Sequence, residues 1–140
     1  MSDFRYGRLM EIKEKLLEQK QRELEIAITS LAAVVDDIRK AQEETAETYD
    51  QIATRCLTGR ELSVLTGYLS YLDMSKERLL KEKGEGEKRV AVVRSALICL
   101  EIELKVLEKL KFKMLQAAKK VLGRKEQKLM DDLALRAEGK

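Results

Sequence analysis

Apolar residues recur at every seventh position along most of this 140-residue chain. In the first half the recurring positions are Met10, Leu17, Leu24, Leu31, Ile38, Thr45 and Ile52. In the second half they are Leu65, Leu72, Leu79, Gly86, Val93, Leu100, Leu107, Met114 and Val121. A period of seven sustained over this length is typical of left-handed coiled coils, so we predict two long helices.

A companion series should complete the apolar seam of each helix. In the first half we place it four residues after each member, at positions that include Ile28, Val35 and Tyr49. In the second half it consists of Leu62, Leu69, Lys76, Lys83, Val90, Leu97, Leu104, Lys111 and Ala118. This assignment makes Tyr49 a core residue rather than a contact for a partner.

The composition excludes most alternatives to long helices. The chain has no proline, which breaks helix interiors, and 38% of its residues are charged. Aromatic residues make up only 4%, although β-sandwiches and barrels draw heavily on them. No apolar run approaches the ~18 residues that cross a bilayer, so we expect no direct membrane insertion.

The two halves are out of phase between residues 56 and 62, so the first helix must end there. Gly59 can end a helix in the left-handed conformation, and Thr58 with Glu61 forms a capping-box pattern for the next helix. We therefore predict one reversal near residue 59. The predicted fold is all-α, a long antiparallel two-helix coiled-coil hairpin.

The predicted hairpin is a single coiled-coil domain over residues 1–140. Helix one should cover about residues 4–56 and helix two about 61–136, as the heptad series indicate. Helix two then extends past the start of helix one, which leaves residues 115–136 as an overhang without a partner. Two glycines in the segment 83–86 should bend or fray helix two, because glycine weakens helix interiors.

Several chemistries are excluded by residue type. The chain has no histidine, and its cysteines, Cys56 and Cys99, form no closely spaced metal-binding or redox pair. A two-helix hairpin also builds no concave, dehydrated pocket. We therefore expect no catalytic residue, no cofactor and no metal site, and we expect the function to be binding to other proteins.

The first candidate binding feature is a basic stripe on helix two. Its members share one helix face at spacings of 4, 7, 4 and 4, and they are Lys109, Lys113, Lys120, Arg124 and Lys128. The stripe is either a solvated face or a contact for an acidic partner surface. Nucleic acid is not the expected partner, because none of the stripe positions is aromatic and the whole chain carries only +3.

Two further features are apolar. Tyr68 and Tyr71 fall outside the seam of helix two, and exposed tyrosines on a coiled coil suggest an interface anchor. Leu122, Leu129 and Leu133 form a stripe on the overhang at spacings of 7 and 4. That stripe is either an assembly face or a frayed end.

Three short segments resemble those of a known family. EQKLMDDLA at residues 126–134 resembles the C-terminal signature of the FliJ family of flagellar export proteins. ELKVLEKL at 103–110 is similar to the lysine- and leucine-rich segment that precedes that signature in the family. FRYGRL at 4–9 resembles the family's N-terminal segment. The length, the two-helix plan and the lack of proline agree with the family over the whole chain.

The resemblance implies a component of the bacterial flagellar type III export apparatus, similar in shape to the γ subunit of rotary ATPases. It implies three partners: the hexameric export ATPase, the membrane export gate protein and flagellar substrate chaperones. The family's gate-binding face corresponds to Tyr68, Leu72, Ser75 and Leu79, with Tyr49 on the facing helix. The implied location is cytoplasmic and peripheral at the inner membrane, with a role in motility and chemotaxis and a monomer when free.

The distal end of helix two is the predicted ATPase contact. We assign this contact to the basic stripe and to three tail residues, Leu129, Asp131 and Leu133. Two alternatives remain at this point: a stalk protein of an injectisome or rotary ATPase, and a structural coiled coil that self-associates through its overhang.

Overall fold

The computed structural model describes residues 5–139, which form two long helices. Helix α1 spans Gly7–Thr54 (48 residues), and helix α2 spans Gly59–Glu138 (80 residues). Four residues, 55–58, join them, and the described residues contain no strand. The predicted all-α hairpin class is confirmed. Phe4, the predicted start of helix one, lies outside the described residues.

The helices pack in two compact units. The first, Gln19–Leu97, contains the turn, and the second combines the segment up to Glu18 with the segment from Ile98 onward. In the first unit Tyr68 is hydrogen-bonded to Glu44, and Gly86 lies against Leu31. In the second unit Lys13 is paired with Glu103. From the first of these contacts to the last, the residue number on α1 falls while the residue number on α2 rises. The two helices are therefore antiparallel.

The apolar seam of α2 follows both predicted series. The buried side chains of α2 are Leu69, Leu72, Leu79, Val90, Val93, Leu104 and Leu107, and each belongs to one of them. Fully burying a leucine or valine is worth about 1.5–3 kcal/mol, so these seven residues supply much of the energy that holds the helices together. No described side chain beyond Leu107 is buried.

The companion series predicted for α1 is wrong. Ile28, Val35 and Tyr49 are exposed, and the buried positions instead come three residues after the main series. The buried residues at this spacing are Ala27, Ala41 and Thr48. These side chains are smaller than those of Ile28 and Val35, and they face α2 while the larger ones face solvent. The Thr48 hydroxyl donates a 2.7 Å hydrogen bond to the Glu44 carbonyl, so no polar group is stranded in this seam.

The turn differs from the prediction at one residue. The Glu61 amide donates to the Thr58 hydroxyl at 3.2 Å, so Thr58 caps α2 as the sequence pattern predicts. Gly59 does not end α1: it is the first residue of α2, and no described glycine has a positive φ. Helix α1 ends five residues earlier, at Thr54.

The predicted fraying at the glycines of α2 is not found, since the helix is continuous through them. A Cβ built on Gly86 would lie 3.1 Å from the Cδ1 of Leu31, whereas one on Gly84 would meet nothing within 4 Å. Gly86 therefore has a packing role, because it makes room for a seam leucine of α1. Gly84 has no such neighbour.

Candidate partner-binding surfaces

An exposed aromatic pair lies on α2 two to three turns after the connection. The rings of Tyr68 and Tyr71 stack with centroids 6.2 Å apart and an interplanar angle of 23°. Tyr71 is 62% exposed and Tyr68 39%. Aromatic side chains held rigidly at a protein surface are typical anchors for a partner, since they bury a large area at small entropic cost.

A hydrogen bond between the helices fixes this pair in place. The Tyr68 hydroxyl donates to the Glu44 carboxylate at 2.7 Å. That hydrogen bond raises the pKa of Tyr68 above the usual tyrosine value, with burial and the charge of Glu44 acting in the same direction. Tyr68 therefore stays neutral and bonded to α1 at physiological pH.

The structure divides the predicted gate-binding residues of α2 into two groups. Leu72 is 3% exposed and Leu79 is buried, because both are seam residues that pack against α1. Ser75 is half-buried at the edge of the seam. Of the four, Tyr68 is the one that is exposed, with 39% of its surface accessible. The two leucines are buried in the seam and are therefore not available to contact a partner directly.

Tyr49 lies on the other flank of the helix pair. Glu44 and Tyr49 are five residues apart, so they differ by roughly 140° around the axis of α1. The buried residues Ala41 and Thr48 lie between them around that axis. Because Tyr68 bonds to Glu44, Tyr68 and Tyr49 flank the seam on opposite sides. Tyr49 is 58% exposed, so its assignment to the core is wrong. It also does not share one face with Tyr68.

The distal part of α2 is an exposed cationic helix, and every described residue after Leu107 is exposed. The basic stripe lies there: Lys109, Lys113, Lys120, Arg124 and Lys128. None of these five makes an ion pair with another described residue. Leu129 and Leu133 are also exposed, and Asp131 accepts a 3.2 Å hydrogen bond from Gln127 within the helix. The stripe is therefore available to a partner of opposite charge.

Two exposed features escaped the sequence reasoning. Ile98, Ile102 and Val106 are each more than half exposed on the outer side of α2, and their spacing of four could have revealed them. A groove of about 430 Å³ at the connection is lined by Arg55, Leu57, Arg60, Glu61, Val64 and Leu65. It could not have been predicted, because its shape depends on where α1 ends.

The described residues give no sign of metal chemistry or of a membrane-crossing helix. They contain no group of three or more histidine, cysteine, aspartate or glutamate side chains that could hold a metal ion. None of their helices has a stretch long and apolar enough to cross a bilayer. Cys56 and Cys99 are both free and exposed.

The fold and these surfaces define a class of protein: an antiparallel two-helix protein whose candidate binding sites are exposed helix faces. The sequence profile of the family described as "Flagellar FliJ protein" matches residues 2–139, nearly the whole chain. The chain belongs to the FliJ family. It is thereby a non-catalytic component of the flagellar protein export apparatus. Comparisons with curated proteins and with solved structures gave no match.

Proposed function

We propose that this chain is a stalk-like adaptor that docks the distal end of α2 in the ring of the hexameric export ATPase. The observation that carries the proposal is the exposed stripe of five cations without ion-pair partners among the described residues. Unpaired cations on an exposed helix attract an acidic surface and accelerate association with it. Leu129, Asp131 and Leu133 extend the docking end toward the C-terminus.

The same proposal assigns the membrane export gate to the other end of the protein's described helices. The stacked pair of Tyr68 and Tyr71 supplies an aromatic anchor near the connection, and Leu72 and Leu79 lie in the buried seam of the same helix. Ser75 lies at its edge, and Tyr49 gives the opposite flank a contact of its own. Flagellar substrate chaperones complete the proposed partners, with the protein cytoplasmic and peripheral at the inner membrane.

Charge reversal tests the ATPase contact. We expect Lys113→Glu, Lys120→Glu and Arg124→Glu together to reduce stimulation of the ATPase by about tenfold, because attraction becomes repulsion at three adjacent turns. The measurement is the rate of phosphate release by the purified ATPase as the variant is titrated in.

A matched control makes the same charge change elsewhere on α2. Arg78, Lys81 and Lys88 are also exposed, and changing all three to glutamate should leave stimulation within about twofold of the native protein. Circular dichroism should show the same helix content in both variants. Unchanged stimulation in the distal variant would contradict the proposal.

A further inference from the structure

The hydroxyl groups of the two stacked tyrosines differ in how they are bonded. The Tyr68 hydroxyl donates its 2.7 Å hydrogen bond to the Glu44 carboxylate on α1. Among the described residues, none exchanges a hydrogen bond with the Tyr71 hydroxyl, and Tyr71 is also the more exposed of the pair. Tyr71 therefore has both a ring and a polar group to offer to a partner, whereas the polar group of Tyr68 is already used within the protein.

The bond to Glu44 restricts the motion of both rings. A tyrosine side chain turns about two torsions, but the Tyr68 ring is held at both ends, by its own backbone on α2 and by its hydroxyl on α1. The Tyr71 ring stacks on it at an interplanar angle of 23°, so the position of Tyr71 depends on that of Tyr68. A pair that is ordered before binding loses less entropy when a partner covers it.

We propose that Glu44 is a positioning residue for the aromatic anchor. It holds the Tyr68 ring through the hydrogen bond, the Tyr68 ring holds that of Tyr71, and Tyr71 makes the main contact with the partner. The inference rests on the proposed function in that the aromatic pair is the contact for the export gate protein. It adds that a residue of α1 sets the affinity of a surface on α2 without touching the gate, so the anchor is complete only where the two helices are paired.

A second carboxylate near Tyr68 separates positioning from charge. The hydrogen bond of Glu44 is the main cause of the raised pKa of Tyr68, and the charge of Glu47 acts in the same direction. Both glutamates are exposed on α1, so removing either one changes the charge there by the same amount. Among the described residues no lysine or arginine pairs with Glu44, since Lys40 one turn earlier pairs with Asp36 at 3.3 Å. Glu47 is therefore the matched control.

The first test measures the Kd of the full-length protein for the detergent-solubilised export gate protein by surface plasmon resonance. Glu44→Ala should raise the Kd about fivefold, because the gate must then order both rings. Glu47→Ala should raise it less than about twofold. Glu44→Gln keeps an acceptor oxygen at the same reach, so it should return the Kd to within about twofold of the native value. Helix content should be unchanged in all three variants, since both positions are exposed.

A double-mutant cycle shows whether Glu44 acts through Tyr68. Tyr68→Phe keeps the ring and removes the donor, so it should raise the Kd as much as Glu44→Ala does. Adding Glu44→Ala to Tyr68→Phe should then raise the Kd no further, because the same hydrogen bond is already lost. Near-ultraviolet circular dichroism of the protein without the gate reports the order of the rings. The tyrosine band should weaken in Glu44→Ala, recover in Glu44→Gln and stay native in Glu47→Ala.

Three results would overturn the inference. An additive loss in the double variant would mean that Glu44 contacts the gate itself, and an equal loss in Glu47→Ala would mean that the gate responds to charge. Native affinity in Glu44→Ala, with Tyr71→Ala still weakened, would mean that the anchor needs no positioning, and the proposed gate contact would stand. Native affinity in Tyr71→Ala would instead contradict the gate contact, and the inference with it.

Discussion

Tyr68 is the residue whose ionisation is coupled to the packing of the two helices. Its neutral hydroxyl donates to Glu44, so its pKa in the folded protein is raised above the unfolded value of about 10. The stabilisation from this hydrogen bond is fully present below the unfolded pKa. It is lost as the pH rises through the folded pKa, when tyrosinate can no longer donate.

A titration of tyrosinate absorbance tests this coupling. Glu44→Gln removes the carboxylate, so one tyrosine should ionise at lower pH than in the native protein. Tyr68→Phe is the control: in that background Glu44→Gln should not change the titration of the remaining tyrosines. A native-like curve for Glu44→Gln in the presence of Tyr68 would disprove the hydrogen bond.

Tyr71 and Leu72 are neighbours in the sequence with opposite roles. Leu72→Ala should lower the free energy of unfolding by about 2–4 kcal/mol, because Leu72 is the most buried side chain of the seam. Tyr71→Ala should change stability by less than about 0.5 kcal/mol and weaken binding to the export gate. Urea denaturation and a gate-binding assay on both variants check this. Gate binding that survives Tyr71→Ala at full strength would exclude the aromatic pair as the anchor.

At the scale of the element, the glycines of α2 offer a comparison within one turn. Gly84→Ala should raise the free energy of unfolding by about 0.5–1 kcal/mol, because alanine favours helix and its Cβ meets nothing within 4 Å. Gly86→Ala should gain clearly less, since its Cβ would lie 3.1 Å from the Cδ1 of Leu31. Denaturation in urea measures both, and equal gains would show that Leu31 moves aside without cost.

The seams of the two helices were not equally predictable. Both series of α2 are rich in leucine and valine, so the heptad pattern identifies its buried residues up to Leu107. On α1 the large Ile28 and Val35 outweigh the small Ala27 and Ala41 in any count of hydrophobicity, yet the small residues are buried. Apolarity predicts which residues prefer to leave water, but which of two neighbouring positions faces the partner helix also depends on how the side chains pack.

At the scale of the whole molecule, the sequence predicts the helix class and the antiparallel pairing, because both follow from periodicity and one break in phase. It does not predict which surface residues share a flank. Tyr49 and Tyr68 are separated by the seam, and that follows only from the hydrogen bond of Tyr68 to Glu44. If the seam were shifted by one residue, the helix would rotate by about 100° and either tyrosine would take a different position relative to the seam.

The short connection between α1 and α2 determines the order in which contacts between the two helices form during folding. Glu44 and Tyr68 are 24 residues apart in sequence, whereas Lys13 and Glu103 are 90 apart. Closing the larger loop first would cost roughly 1 kcal/mol more in chain entropy. Pairing should therefore nucleate beside the turn and spread outward. During synthesis the first half of α1 leaves the ribosome long before the segment of α2 that pairs with it has been made. Its leucines therefore remain exposed to solvent until that segment is synthesised.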